Sequence, residues 1–260
     1  MGTGYVHGYA DEEQQRLIDQ AAHWRDDLIL DGTMLEPGTR LLEIGCGVGA
    51  VLAELGRAFP GVQLHGVDIE PRRIETARVR LGPAAELRVA DASDLSYPDA
   101  SFDHVWMMWF IEHLGDPLPA LREARRVLKP GGELTAIETD YNTVWTEPAD
   151  PAITFLFSGL ADAMERSGHS DAGTRLSRWL IDAGFHGVDP GERQLHFTGA
   201  ELRRQIDYAA DVTASTIPAL KVLNPSSAGQ LDLGLARVRA LPDVPAAAFG
   251  WTVYKARAVR

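Results

Sequence analysis

Three acidic side chains and a run of glycines have the types and spacing to hold a charged ligand. In the stretch LLEIGCGVGA, Glu43 stands two residues before the first of three alternating glycines, Gly45, Gly47 and Gly49. Asp68 and Asp91 end the two apolar runs that follow. A backbone without side chains lets a ligand approach closely. A carboxylate beside it repels a diphosphate but attracts a sulfonium or an ammonium group.

The spacing of the glycines does not by itself identify that ligand. The dinucleotide fingerprint G-x-G-x-x-G/A can also be placed on Gly45, Gly47 and Ala50. A Walker phosphate loop is excluded, because no Gly-Lys-Ser/Thr follows. Asp68 lies at the distance where a carboxylate binds ribose hydroxyls, and Asp91 comes within reach of an adenine amino group. The acids together predict S-adenosylmethionine, although each aspartate could instead cap a helix or a turn.

These acids need strands that end at one edge of a sheet. Apolar runs alternate with helical patterns, which is typical of βαβ units with helices on both faces. We predict parallel strands at Arg40–Ile44, Gln63–Val67, Ala85–Val89, Phe102–Met107 and Gly132–Thr139. Strands near Arg193–Phe197 and in the final FGWTVYKARAV complete a doubly wound, mostly parallel α/β sheet of seven strands. Ligands bind such sheets outside the carboxyl ends of the strands.

Helical patterns precede, separate and follow the strands. The apolar spacing from Asp11 to about Leu30 suits one amphipathic helix. Further helices are predicted at Val51–Phe59, Pro71–Leu81, Ala120–Leu128, Pro151–Ser167 and Thr174–Ala183, and in a block from Gly199 to about Ala240. The predicted domains are an N-terminal helical flap at 1–36, a cofactor-binding core at 37–198 and 245–260, and a helical lid at 199–244.

The composition excludes several classes of protein. The 260 residues are 45% apolar and 24% charged, and no apolar run is long enough to span a bilayer. A formal charge of −12 disfavours nucleic acid as a partner. The single cysteine, Cys46, excludes an internal disulfide, and the start lacks a signal-peptide pattern, so we expect a cytoplasmic protein. No His/Cys/Asp cluster has metal-ligand spacing, so we expect no metal.

Five motifs occur in order from residue 40 to 139: LLEIGCGVGA, GVDIEP, VADASDLSYPDASFDHVW, EHLGDP and RRVLKPGGELTAIE. In this order and spacing they resemble the class I S-adenosylmethionine-dependent methyltransferases. The resemblance implies a Rossmann-like fold and S-adenosylmethionine as cofactor, with S-adenosylhomocysteine as product. The cofactor-binding residues that it implies are Glu43, Gly45, Cys46, Gly47, Gly49, Asp68, Ile69, Asp91, Ala92 and Met107. The opening YVHGYADEEQQRL and the EHL turn are similar to bacterial methyltransferases that tailor secondary metabolites.

Methyl transfer from a sulfonium needs alignment and the exclusion of water more than strong catalytic groups. Where the acceptor must lose a proton, His113 is the leading candidate base, because an imidazole titrates in the useful range. It could equally orient a loop or pack in the core. Glu112, which orients His113 or caps the next helix, and Tyr9 complete the predicted catalytic set. Four further residues could reach the same cleft, namely His7, Glu138, Asp140 and Tyr141.

Aromatic side chains concentrate where a flat acceptor could stack on them. The predicted substrate-binding residues are Tyr5, Tyr9, Trp109, Tyr141 and Trp145, whereas Trp106, Phe155 and Phe157 are expected in the core. We therefore expect methyl transfer to a small aromatic or heteroaromatic acceptor at carbon, nitrogen or oxygen, by a monomer or homodimer with no membrane partner. The alternatives are a quinone or lipid methyltransferase, a non-catalytic S-adenosylmethionine-binding module and, as a fourth, a dehydrogenase.

Overall fold

Five parallel strands form the first part of one sheet. The computed structural model describes residues 11–260, with side chains from residue 13 onward. The strands are β1 (Arg40–Ile44), β2 (Gln63–Asp68), β3 (Ala85–Val89), β4 (Phe102–Met108) and β5 (Leu128–Glu147). They lie in the order β3-β2-β1-β4-β5, and each neighbouring pair is parallel. The order reverses between β1 and β4, which places a ligand-binding crevice outside the carboxyl ends of these strands.

Three antiparallel strands complete the sheet. They are β6 (His186–Asp189), β7 (Glu192–Thr198) and β8 (Ala248–Val259). β8 pairs with β5 on one side and with both β6 and β7 on the other. Over residues 11–260 the sheet has eight strands where the sequence predicted seven. The outer edge is divided near Pro190, which has no N–H to continue a ladder.

Eight α-helices lie along the described chain. They are α1 (Asp11–His23), α2 (Ala50–Ala58), α3 (Pro71–Leu81), α4 (Leu118–Val127), α5 (Pro151–Ser167), α6 (Ala172–Asp182), α7 (Gly199–Leu223) and α8 (Ala228–Ala240). Two of them, α3 and α5, begin with a side-chain cap. α5 follows Asp150, whose carboxylate accepts a hydrogen bond from Ala152 N at 2.8 Å. α3 has Pro71 in its first turn, a position that proline favours.

The N-terminal helix is shorter than the sequence predicted. α1 ends at His23, and Arg25–Leu30 forms a separate, wider π-helical turn. Lys255 on β8 binds the end of this turn: its Nζ donates to the carbonyl oxygens of Leu28 at 2.7 Å and of Asp31 at 2.6 Å. The buried ammonium group therefore ties the N-terminal segment to the sheet.

Hydrophobic side chains fill both faces of the sheet. Leu41 belongs to the same buried cluster as Leu52 of α2, whereas the next residue, Leu42, belongs to the cluster that contains Leu121 of α4. This alternation follows the period of a strand and leaves Glu43 on the side of Leu41. The doubly wound α/β fold predicted from the sequence is confirmed.

The segment predicted as a lid is helical. α7 and α8 pack against each other and against α5. The boundaries of the flap, core and lid stay a prediction. Along the part of the chain that the structure describes, no helix combines the length and apolar character needed to cross a membrane.

Candidate functional site

The three predicted acids meet in one cavity of about 500 Å³ at the carboxyl edge of the sheet. Glu43 lies on β1, Asp68 at the end of β2, and Asp91 two residues beyond β3. The parallel strands bring them together because their carboxyl ends share one edge. The other predicted cofactor-binding residues that line this cavity are Gly45, Cys46, Gly47, Ile69 and Ala92.

Asp68 binds the glycine loop directly. Its Oδ2 accepts a hydrogen bond from Gly47 N at 2.9 Å, and its Oδ1 accepts one from Glu70 N at 2.9 Å. The cap of α3 is the Glu70 side chain, which accepts from Arg72 N at 3.1 Å, so the interpretation of Asp68 as that cap is wrong. Each oxygen of the Asp68 carboxylate can accept one more hydrogen bond, and a ribose hydroxyl could donate it.

Asp91 combines a turn with a place in the cavity wall. Its Oδ1 accepts hydrogen bonds from Ser93 N at 2.8 Å and from Ser93 Oγ at 2.7 Å. These two bonds lower the pKa of Asp91. The carboxylate is therefore ionised at neutral pH and able to accept a hydrogen bond from an adenine amino group. Both interpretations made from the sequence remain compatible with this geometry.

The glycines allow close packing of the loop after β1. All three have positive φ, +76° at Gly45, +51° at Gly47 and +71° at Gly49, a region that glycine enters without strain. A Cβ on Gly45 would lie 2.3 Å from the Phe110 ring. Gly49 does not line the cavity; a Cβ there would lie 2.8 Å from Leu81, so this glycine lets the loop pack on α3.

Glu43 is a buried acid with an unused oxygen. The residue is 3% exposed, and its Oε2 has no hydrogen-bond partner among the described residues. Burial raises the pKa of Glu43 well above its usual range, against a smaller opposite effect from a backbone hydrogen bond of Leu52. A buried acid with spare hydrogen-bonding capacity beside a bare backbone fits the ammonium end of S-adenosylmethionine.

Met107, predicted to contact the donor through its main chain, does not line the cavity. β4 runs one residue further than predicted, and the fully buried Met107 packs in the cluster on the α4 side. Met108 and Trp109 line the cavity instead. Trp109 has a positive φ of +47°, and its Nε1 donates to Thr139 Oγ1 at 3.0 Å. Strained backbone of this kind is common at functional sites.

Aromatic rings from distant parts of the chain line the same cavity. Trp24 packs edge-on against Trp109, Tyr208 and Trp251, with ring centroids 6.4, 5.8 and 5.7 Å away. All four rings line the cavity. The sequence identified only Trp109 among them. Trp24 follows α1, Tyr208 lies on α7 and Trp251 lies on β8, and no sequence pattern indicates that these three elements meet.

One predicted aromatic contact, Trp145, lies outside this cavity, and one residue expected in the core, Phe155, is exposed. Trp145 is 42% exposed and lines a second cavity of about 270 Å³, beside the β5 extension and α5. Phe157 was expected in the core and is buried there, and it also lines both cavities. Phe155 was also expected in the core and is exposed, because the buried positions of α5 follow a helical period that leaves it on the outer face. The core position of Trp106 is confirmed.

Three polar residues with candidate catalytic roles line the cavity together: Glu112, His113 and Tyr141. Tyr141 OH donates to Glu112 Oε1 at 2.9 Å, and His113 Nε2 lies 3.7 Å from the same oxygen. Burial raises the pKa of Glu112 to about 7, an effect that the Tyr141 hydrogen bond partly opposes. This places a carboxyl group that titrates near neutral pH beside an imidazole.

Other predicted residues do not reach this wall. Glu138 and Asp140 are buried but do not line the cavity. Tyr5, Tyr9 and His7 lie outside the described residues. Within residues 11–260 no group of three or more His, Cys, Asp or Glu is arranged to hold a metal ion.

α1 closes part of the cavity and is attached on two sides. Its residues Leu17 and Gln20 line the wall. His23 Nε2 is 2.8 Å from Gln205 Oε1 of α7, and Thr76 of α3 donates to Gln14 of α1. The sheet edge, α1 and α7 therefore all contribute to the wall of the cavity.

The sheet order, with a glycine loop and three acids at the carboxyl edge, is the arrangement that the motifs predicted. Residues 42–136 match the family described as "Methyltransferase domain" (Methyltransf_11). Over residues 42–136 the chain therefore carries a methyltransferase domain, as the motifs predicted.

Individual proteins give the same result for the fold and domain. The chain is similar to the 27-O-demethylrifamycin SV methyltransferase of Amycolatopsis mediterranei, with 37% identity over 51% of this chain and 50% of that protein. It is 30% identical to the 2-methyl-6-phytyl-1,4-hydroquinone methyltransferase of Synechocystis, over 56% of this chain and 51% of that protein. The chain thus spans about half the length of the curated relatives that it matches. The crystal structure of the 4+2 cyclase SpnF superposes with a TM-score of 0.57 at 24% identity, over 92% of this chain and 81% of that chain.

Proposed function

We propose that this protein transfers a methyl group from S-adenosylmethionine to a small acceptor with an aromatic or heteroaromatic ring, at carbon, nitrogen or oxygen. One observation carries the proposal: a single cavity is lined by the acids and glycines suited to the donor, by an aromatic cluster and by Glu112 and His113. Donor and acceptor can therefore bind next to each other in one cavity.

The donor half of the cavity matches the parts of S-adenosylmethionine. Bound there, it would supply an electrophilic methyl group on a positively charged sulfur. Glu43 would bind its ammonium group, Asp68 its ribose hydroxyls, and Asp91 its adenine amino group. The unpartnered Oε2 of Glu43 supports this fit, as does the place of Gly45 and Gly47 in the cavity wall.

The acceptor is held by packing more than by charge. The rings of Trp24, Trp109, Tyr208 and Trp251 offer flat apolar surfaces, on which another ring gains area burial and stacking. Alignment of two bound reactants can lower a barrier by about 7–11 kcal/mol. With both reactants bound, these walls would keep water, the competing nucleophile, away from the methyl group.

One observation favours a second candidate, and another leaves a third open. The Synechocystis relative is named for a hydroquinone acceptor, so a quinone-type methyltransferase of primary metabolism would use the same aromatic wall. The SpnF structure is named as a cyclase, so the fold alone does not establish methyl transfer. A module that binds S-adenosylmethionine without turnover therefore stands as the third reading of this site. The predicted small-molecule partner, oligomeric state and cytoplasmic location stay predictions.

Labelled methyl transfer separates these candidates. The protein is incubated with S-adenosylmethionine labelled in its methyl group and with three acceptor panels: phenols and hydroquinones, aromatic amines, and indoles. We expect label in one panel and none with Asp68→Ala. Transfer confined to prenylated hydroquinones supports the quinone candidate. Donor binding by calorimetry with no transfer to any panel contradicts the enzyme and supports the binding module.

A further inference from the structure

A buried carboxyl group outside the cavity holds the main chain of the turn that carries Glu112 and His113. Glu138 on β5 is fully buried and is not part of the cavity wall. Its Oε1 accepts hydrogen bonds from Phe110 N at 3.0 Å and from Ile111 N at 2.7 Å. Its Oε2 accepts one from Glu112 N at 3.3 Å. Three consecutive N–H groups therefore converge on one side chain.

The loop between α5 and α6 holds the same turn from the other side. His169 N donates to Glu112 O at 2.8 Å. A Cβ on Gly168 would lie 1.9 Å from that oxygen, so this approach requires a glycine. In the next part of the loop, Ser170 O accepts a hydrogen bond from Tyr141 N at 2.8 Å. The main chain of Glu112 is thus held at both its N–H and its C=O, and the main chain of Tyr141 is held by the same loop.

Burial of the Glu138 carboxyl group costs folding free energy, so its presence in the interior needs an explanation. Burial and the neighbouring Glu112 carboxyl raise the pKa of Glu138 well above its usual range, against the effect of its backbone hydrogen bonds. A buried acid is unfavourable unless hydrogen bonds compensate, and an apolar residue of similar volume often stabilises a fold as well or better. A contribution to fold stability does not explain a carboxyl group at this position on β5. Its hydrogen bonds to the main chain of residues 110–112 do explain it.

We propose that Glu138 is a positioning residue for methyl transfer: it holds the main chain of residues 110–112 and thereby sets the side chains of Glu112 and His113 in the cavity. The proposal rests on the proposed function, because it assigns a use to that turn. Glu138 acts through Glu112 and His113, which line the cavity, and itself touches neither donor nor acceptor. Tyr141 completes the arrangement by its hydrogen bond to Glu112 Oε1.

The test compares Glu138→Gln with a matched variant on the same strand. Glutamine keeps the size and one carbonyl oxygen, but its NH₂ group opposes one of the three N–H donors. The control is Glu133→Gln, whose side chain is 42% exposed. Histidine ring signals are recorded by NMR, with the His113 signal assigned from His113→Gln and the exposed His186 as reference. Binding of S-adenosylhomocysteine is measured by calorimetry, and kcat with the acceptor found by labelled transfer.

We expect Glu138→Gln to move the His113 signal, to lower kcat by ~10- to 100-fold as a small misplacement does, and to leave S-adenosylhomocysteine affinity within about twofold. Glu133→Gln should change none of these. If Glu138→Gln leaves both the His113 ring signal and kcat unchanged, the proposal is overturned. If Glu138→Gln does not fold, Gly168→Ala, which presses on Glu112 O from the opposite side, must give the same two changes. If the wild-type protein transfers no label, the proposed function fails, while the His113 signal still decides the positioning role.

Discussion

Glu43 on β1 and Asp68 at the end of β2 place two acids in one cavity, and the negative charge of Asp68 adds to burial in raising the pKa of Glu43. A buried acid beside a second carboxylate makes a site that gains from a cation. This relationship explains why the crevice suits a sulfonium donor with an ammonium group and does not suit a diphosphate.

Binding of the donor should release a proton from Glu43. Burial raises the pKa of Glu43 and a bound cation opposes that shift, so donor binding favours the ionised carboxylate and the release of any proton that it holds. Calorimetric titration with S-adenosylmethionine at pH 7 should give enthalpies that differ between phosphate and Tris, since these buffers take up the proton with different heats. Glu43→Gln should show a smaller buffer dependence, and the exposed Glu36→Gln should behave as wild type. Equal buffer dependence in all three proteins would count against the role of Glu43.

His113→Ala tests whether the imidazole acts as the base. It lines the cavity 3.7 Å from Glu112 Oε1, and general-base catalysis is worth roughly 10²–10⁴ in rate. With the acceptor found by labelled transfer, kcat should fall by that factor while donor affinity stays unchanged. A loss below about tenfold removes His113 from this role and leaves an orienting one.

Glu112 should make the fold less stable as pH rises from about 4.5 to 7. Its pKa is about 7 in the folded protein against an ordinary value of 4.5, so in this window the folded state holds a proton that the unfolded state has lost. The free energy of unfolding then falls by up to about 1.4 kcal/mol per pH unit. The groups that act on Glu112 are Glu138, Tyr141, His113 and Arg16.

Urea unfolding at pH 5 and pH 7 measures this effect. Other groups also change protonation on unfolding in this pH range. One is His104, whose pKa burial lowers from 6.5 to about 4 in the folded protein. The comparison is therefore between wild type and Glu112→Gln. The wild type should lose up to about 3 kcal/mol more than the variant on going from pH 5 to pH 7. Parallel changes in the two proteins would show that Glu112 ionises in the folded state as it does in the unfolded chain.

Lys255→Met should loosen the N-terminal segment. Lys255 Nζ also donates to Thr33 Oγ1 at 2.8 Å, besides the carbonyl oxygens of Leu28 and Asp31. Its loss leaves buried acceptors without a donor, at a cost of about 2–4 kcal/mol in the free energy of unfolding. Lys221→Met, which removes only a surface pair with Asp232, should cost at most about 1 kcal/mol. Similar losses of unfolding free energy in the two variants would show that Lys255 does not hold the N-terminal segment.

The sequence predicts the part of the site suited to the donor, because its acids each stand near the end of one of three successive strands. Each acid follows its own apolar run, and parallel strands must end at one edge. Glu43, Asp68 and Asp91 therefore meet as predicted. The parallel strands, the division of the sheet into two windings and the position of α5 are also predicted, since apolar periodicity is strong in these segments.

The rest depends on contacts between segments far apart in the chain. Trp24, Tyr208 and Trp251 meet only when α1, α7 and β8 pack together, and no local pattern encodes that. Trp145 follows β5 past the point where the predicted strand stopped, which carries it to a second cavity. Glu138 was identified as able to reach the cleft, but its hydrogen bonds to residues 110–112 require the paired β4 and β5 to be seen.

Calorimetric titration of wild type and Asp68→Ala with S-adenosylmethionine and with NAD tests the central claim most directly. Asp68 anchors the glycine loop through Gly47 N and faces the ribose in our assignment, whereas the exposed Asp94 nearby provides a control in Asp94→Ala. We predict that S-adenosylmethionine binds to wild type and to Asp94→Ala, that Asp68→Ala weakens its affinity at least ~10-fold, and that NAD does not bind. Tight binding of NAD with none of S-adenosylmethionine, or equal S-adenosylmethionine affinity in wild type and Asp68→Ala, would contradict the account.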